Sequence, residues 1–198
     1  MTSTNINYVE TYFEYPTLTR IHGAPTYDTL KTLKDQLKSN ATSVTSDLGG
    51  GNHGHLGLVL NAPEYTNVSA VPYDRPLHPG NLTIVPGTAQ HKATRLRSDH
   101  KEAIRLFRKT VDVEKALIKQ LVAAIDETYL KTLRNATTNS ITQPLHQVLD
   151  FLFTRYGRID PDTLSEAEQK VRTMVYNMSD PLITIYLEIK RPPMHRCL

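Results

Sequence analysis

From Thr88 to Gln143 the chain contains neither proline nor glycine. Those two residues interrupt regular backbone most strongly, and the stretch between is filled with good helix formers, so little except helix fits it. Leu96, Ala103, Ile104, Phe107, Val111, Leu117, Ile118, Leu121, Val122 and Ile125 recur at steps of three and four, with Lys, Arg and Glu between them. That spacing predicts a long amphipathic helix, or a pair broken near 110–113, with one buried stripe. Asp126 is placed to cap a further turn or two up to Arg134, and the Asn/Thr/Ser run 135–140 reads as a loop.

Downstream, Thr142 as N-cap, Pro144 in the first turn and Gly157 as a left-handed stop delimit a helix with Leu145, Val148, Leu149, Leu152, Phe153 and Tyr156 on its apolar face. Another capped helix follows, with Leu164, Ala167, Val171, Met174, Val175 and Met178 inward. Ser179-Asp180-Pro181 opens a last one that stops at Arg191-Pro192-Pro193. The expectation is an all-α bundle over 88–190 with a short tail, 191–198.

The chain before residue 88 has a different character. Its wealth of Thr, Ser, Asn, Gly and Pro holds the apolar share of the whole sequence down to 39%. Residues 1–24 show no sustained period and suit either disorder or an extended arm. Thr26 caps a short helix over 27–39, with Tyr27, Leu30, Leu33 or Lys34, and Leu37 near one face. Residues 40–54 are turn formers, a brief apolar run precedes Pro63, and Pro72, Pro76, Pro79, Gly80, Pro86 and Gly87 make 70–87 a stiff connector. Residues 1–87 are thus expected to be a poorly structured arm and connector, with the domain boundary at 70–87.

The net charge of +3 is mild, but its distribution is not even. Between Thr88 and Val111 seven cations, Lys92, Arg95, Arg97, Lys101, Arg105, Arg108 and Lys109, face only Asp99 and Glu102. Such a stripe is a candidate for phosphate contact and RNA binding. It also suits an ordinary solvated helix face, since stacking aromatics are not interleaved with it and Phe107 falls on the apolar stripe.

Other chemistries find little support. A single cysteine, Cys197, excludes an intrachain disulfide and a Cys-based zinc cluster, and suggests a reducing compartment. The N-terminus lacks a charged region followed by an apolar run, and no stretch nears the roughly 18 apolar residues that cross a bilayer, so a soluble, cytoplasmic protein without a membrane partner is expected. The five Asn-X-Ser/Thr sequons then reflect composition. Gly49–Gly54 matches G-x-G-x-x-G, but it lacks the preceding strand and following helix that a nucleotide cradle needs, and reads as a mobile hinge. His53 and His55, with His22 or His78, offer imidazoles to a metal; without a nearby carboxylate they read as solvent-exposed polarity. No nucleophile elbow, Walker lysine, HExxH or aspartic-protease triplet occurs. Asp160, Asp162, Glu166 and Glu168 cluster where they complement a helix dipole. No enzyme, metal, cofactor or small-molecule substrate is expected.

The stretch YLKTLRNATTNSITQPLHQVLDFLFTRYG (129–157), the following helix ending at Met174–Met178 and the restart SDPLITIY resemble the Gag protein of copia-type LTR retrotransposons. The upstream pieces IHGAPTYDTLKTLKDQLKSN, LGGGNHGHLGLVLNAPEY and RLFRKTVDVEKALIKQLVAAID are similar to Gag-like reading frames of these transposable elements. The order of these features, over most of 20–187, is more specific than any one of them. The resemblance implies a helical capsid lobe that multimerises around RNA. Two departures accompany it: no Cys-x-x-Cys knuckle is present, and the chain stops at Leu198 where the family continues into its second lobe, as in a truncated Gag. On that reading the 181–190 helix presents Leu182, Ile185, Tyr186 and Ile189 for self-association. The alternative is a domesticated Gag remnant that binds nucleic acid, or regulates, through the 92–109 stripe.

Overall fold

A computed structural model describes Tyr8–Arg158 together with Leu164, Ser165, Gln169 and Arg172. The architecture is all-α, and no strand occurs among the described residues beyond an isolated bridge between Arg134 and Ile141. The chain divides into two compact units, Met1–Gly157 and Arg158–Leu198.

In the first unit the helices are α1 (Tyr27–Ser43), α2 (Ala62–Thr66), α3 (Gln90–Ala124), α4 (Glu127–Leu130) and α5 (Leu145–Tyr156), with single 3-10 turns at Leu48–Gly50, Leu56–Leu58 and Lys131–Leu133. Thr26 caps α1 through a reciprocal pair with Thr29, which satisfies amides that the first turn leaves unpaired. Asp126 caps α4 by accepting from the Thr128 amide. Helix α3 runs 35 residues without the expected break at 110–113. Thr110 sits buried there with its hydroxyl donating to the Leu106 carbonyl, so this polar β-branched residue is satisfied inside the helix.

Packing uses only part of that length. Val113, Ala116, Leu117, Leu121 and Ala124 are buried against Leu30, Leu33, Leu37 and Ala41 of α1 and Leu145, Val148, Leu149 and Leu152 of α5. Each fully buried leucine contributes about 1.5–3 kcal/mol of transfer free energy. Before Thr110, by contrast, Ala93 is the only buried residue of α3. The helix up to Lys109 therefore presents most of its circumference to solvent, and the basic stripe lies on that part.

From Tyr8 onward much of the supposed arm belongs to this core, whereas of the connector only Tyr73 packs against it. Phe13, Leu18 and Ile21 are buried in it, and the Ile21 amide donates to the Ala124 carbonyl at 2.8 Å, covering an acceptor at the end of α3. Asn40, fully buried on α1, accepts from the Tyr15 amide at 2.7 Å and donates to the Tyr15 carbonyl at 2.8 Å and to Gln120 Oε1 at 2.8 Å. Gln120 in turn donates to the Tyr15 and Pro16 carbonyls. Two side chains on different helices thus satisfy an irregular backbone that has no periodic signal of its own. The compact unit accordingly runs through the expected boundary at 70–87. The helices expected over 160–190 and the tail 191–198 lie mostly outside the described residues.

The glycine loop also departs from expectation. Gly54 adopts φ +53, and a Cβ there would sit 2.6 Å from the Thr42 and Val44 carbonyl oxygens, so only glycine closes this turn. At Gly49 the carbonyl accepts from Tyr65 Oη and Ser69 Oγ. The segment is a packed corner rather than a hinge. Its His55 is fully buried, not solvent-exposed, with Nδ1 hydrogen-bonded to Tyr73 Oη at 2.9 Å. Burial first, and the charge of Lys109 second, pull that imidazole down to about 4. It is therefore neutral near pH 7.

Candidate nucleic-acid interface

Seven cations on one helix do not make one surface, because 3.6 residues per turn scatter them around the axis. Arg97, Lys101, Arg105 and Arg108 stand at i, i+4, i+8 and i+11, within about 80° of one another. Lys109 lies about 40° beyond Arg105, while Lys92 and Arg95 project elsewhere on the circumference. All except Lys109 are exposed; it is half-buried and donates to the Thr45 carbonyl at 2.6 Å, tying α3 to the loop after α1. Arg95 faces Asp99 at 3.7 Å. Arg105 forms a two-pronged pair with Glu102, at 2.8 and 2.6 Å. That pairing holds the Glu102 carboxyl below, and the Arg105 guanidinium above, their ordinary ranges. Among the described residues Arg97, Lys101 and Arg108 form no ion pair.

Beside this stripe lies an open groove of about 1080 Å³. One wall is α3, contributing Lys101, Arg105, Arg108 and Lys109; the other is Tyr8, Val9 and Tyr12, with Val44 and Thr45 beyond. Asp99, Glu102 and Asp112 also border it, so its charge is mixed and its free positive groups are Lys101 and Arg108.

The two tyrosines are what the sequence reading missed. Aromatics absent from the basic segment itself are supplied by a distant turn, and Tyr8 and Tyr12 are 65% and 50% exposed. Their rings meet edge to face at a centroid distance of 5.3 Å, and their hydroxyls are hydrogen-bonded at 2.6 Å. That bond, more than burial, raises the Tyr12 phenol above its ordinary value, so it stays protonated at neutral pH. An edge-to-face pair leaves ring faces uncovered on both partners. Their four-residue spacing was the available signal, since it places two rings on the same side of a single helical turn.

Three other expectations bear on function. Among the described residues no three or more His, Cys, Asp or Glu side chains are placed to hold a metal ion. No helix among the described residues is long and apolar enough to cross a membrane. Leu182, Ile185, Tyr186 and Ile189, and the acids Asp160, Asp162, Glu166 and Glu168, lie outside the described residues.

The class these observations define is an all-α protein with a mixed-charge, tyrosine-edged groove beside its long helix. Comparison of the chain with family models, with curated proteins and with solved structures finds no match.

Proposed function

We propose that this chain is a non-enzymatic structural protein of the retrotransposon Gag-capsid kind, associating with its own copies and holding RNA, with the basic face of α3 as the RNA contact. The observation that carries the RNA contact is the line of Arg97, Lys101 and Arg108, exposed and without ion-pair partners among the described residues. Unpaired exposed cations keep their full attraction for phosphate and release counterions on binding. The capsid part of the reading rests on the order of sequence features from 20 to 187. It gains support from apolar side chains left uncovered near the same helix: Leu77 and Val85 are 84% and 70% exposed, with Leu82 and Leu96 at 36%.

Two measurements test it. RNA affinity across a salt series is expected to fall steeply, and replacing Arg97, Lys101 and Arg108 together by Ala lowers the log–log slope by about two; undetectable binding at low salt ends the RNA assignment. Sedimentation across protein concentration reports association. A strict monomer that still binds RNA favours the alternative, a domesticated remnant that binds nucleic acid or regulates through the basic stripe at 92–109 without assembly.

A further inference from the structure

The groove points to a narrower ligand than RNA in general, and the inference deepens the RNA reading on which it rests. We propose that it takes a single, unpaired polynucleotide strand, with phosphates along Arg97, Lys101 and Arg108 and a base laid on the Tyr8–Tyr12 pair. The Glu102 carboxylate acts as an internal competitor for Arg105.

Along α3 the 1.5 Å rise puts Lys101 about 6 Å from Arg97 and Arg108 about 10 Å beyond Lys101, so the free cations form a straight track rather than a cluster. A track suits an extended backbone. The groove is also bordered by the aromatic rings of Tyr8 and Tyr12, and aromatic rings contribute to nucleic-acid binding by stacking on bases. In a duplex those faces are already covered by neighbouring base pairs, so a tyrosine gains a stacking partner only from an unpaired strand. Tyr8 and Tyr12 meet this need, since they are more than half and half exposed, border the same groove as Lys101 and Arg108, and fix each other's orientation through ring and hydroxyl contacts. Mutual bracing reduces the side-chain entropy lost when a base docks.

The acids set the second part. Glu102 and Arg105 are bonded side by side on the groove wall, both at 60% exposure. A phosphate approaching Arg105 must displace that carboxylate, and meets its repulsion. Arg105 therefore lies on the track but is withheld from it. Removing the negative charge while keeping the side-chain shape, as in Glu102→Gln, frees the guanidinium.

The test is a salt series with the intact chain and two probes, a mixed-sequence RNA single strand and a duplex of equal length. Preference for the single strand is expected. Tyr8→Ala and Tyr12→Ala each weaken single-strand binding by about fivefold or more without changing the salt slope, because stacking releases no counterions. Tyr12→Phe keeps the ring and retains binding. Glu102→Gln tightens binding about two- to fivefold and makes the slope steeper. If single strand and duplex bind alike and both Tyr→Ala variants are silent, the stacking proposal is overturned while the RNA reading stands. If Glu102→Gln changes neither affinity nor slope, the competitor role is overturned. If neither probe binds at low salt, the RNA reading fails as well.

Discussion

Arg75, in the irregular segment before α3, forms a two-pronged ion pair with Glu114, whose side chain is 7% exposed in the second half of that helix. The same carboxylate reaches further: its Oε1 accepts from the Leu145 amide at 3.2 Å, at the start of α5. Helix α5 has Pro144 at its N-cap and no side-chain cap of its own, so an acid from another helix satisfies an amide that local sequence leaves open. One buried side chain thereby ties the connector, the long helix and α5 together.

Glu114→Ala should consequently be among the more damaging single changes. It removes the cap and strands the Arg75 guanidinium, whose side chain is 41% exposed and can regain water, so the expected loss is about 2 kcal/mol rather than the larger cost of a fully buried orphan. Arg75→Ala leaves the carboxylate buried and unneutralised, with a loss of similar size. Urea unfolding of both single variants and the double variant checks this. A coupling energy near zero would show that the pair does not act as a unit.

Stability should also fall in mild acid through His55. The folded imidazole titrates at about 4, against about 6.5 for an unperturbed histidine, so below pH 6.5 the unfolded chain takes up a proton that the folded one refuses. The stabilisation is complete above pH 6.5 and is lost progressively down to about pH 4, where the loss amounts to about 3 kcal/mol. Measured as unfolding free energy against pH, this part of the slope should flatten in His55→Leu, whatever the variant's absolute stability. An unchanged slope between pH 6.5 and 4 would assign the titration elsewhere.

Two glycines with positive φ separate backbone strain from crowding. Gly80 has φ +71 and nothing within 4 Å of the point that a Cβ would occupy, so Gly80→Ala carries strain alone, about 1 kcal/mol. Gly54 has φ +53 and three carbonyl oxygens, of Ala41, Thr42 and Val44, within 2.8 Å of the corresponding point. Gly54→Ala should lose about 2 kcal/mol more than Gly80→Ala in the same denaturation assay. Equal losses would mean that the corner after α1 opens without difficulty.

Legibility of the fold followed the range of the forces involved. Where a residue's partner lies within one helical turn, the sequence announced it: Thr26 and Asp126 cap as their positions suggest. The apolar steps of α1 and α5 are buried nearly as read, with Tyr27 41% exposed rather than inward. Where the partner is remote, it did not. Thr142 does not cap α5, because Glu114 takes that place from α3. Gly157 ends α5 at φ −82, not in the left-handed region, and what it provides is room: a Cβ would lie 2.7 Å from the Phe153 carbonyl oxygen.

The candidate site divides in the same way. The Lys/Arg run was visible because charge is written residue by residue, and helical period alone puts Arg97, Lys101, Arg105 and Arg108 on one side of α3. Periodicity and charge along the chain therefore determined that this protein is helical and where its positive face lies, since both depend on neighbours three or four residues apart. Tertiary structure alone decided that an aperiodic N-terminal segment joins the core, that His55 is buried, and that Tyr8 and Tyr12 border the same groove as Lys101 and Arg108. Those outcomes depend on side chains such as Asn40 and Gln120, 80 residues apart in sequence, finding the same backbone groups to satisfy, and no local pattern encodes such a meeting.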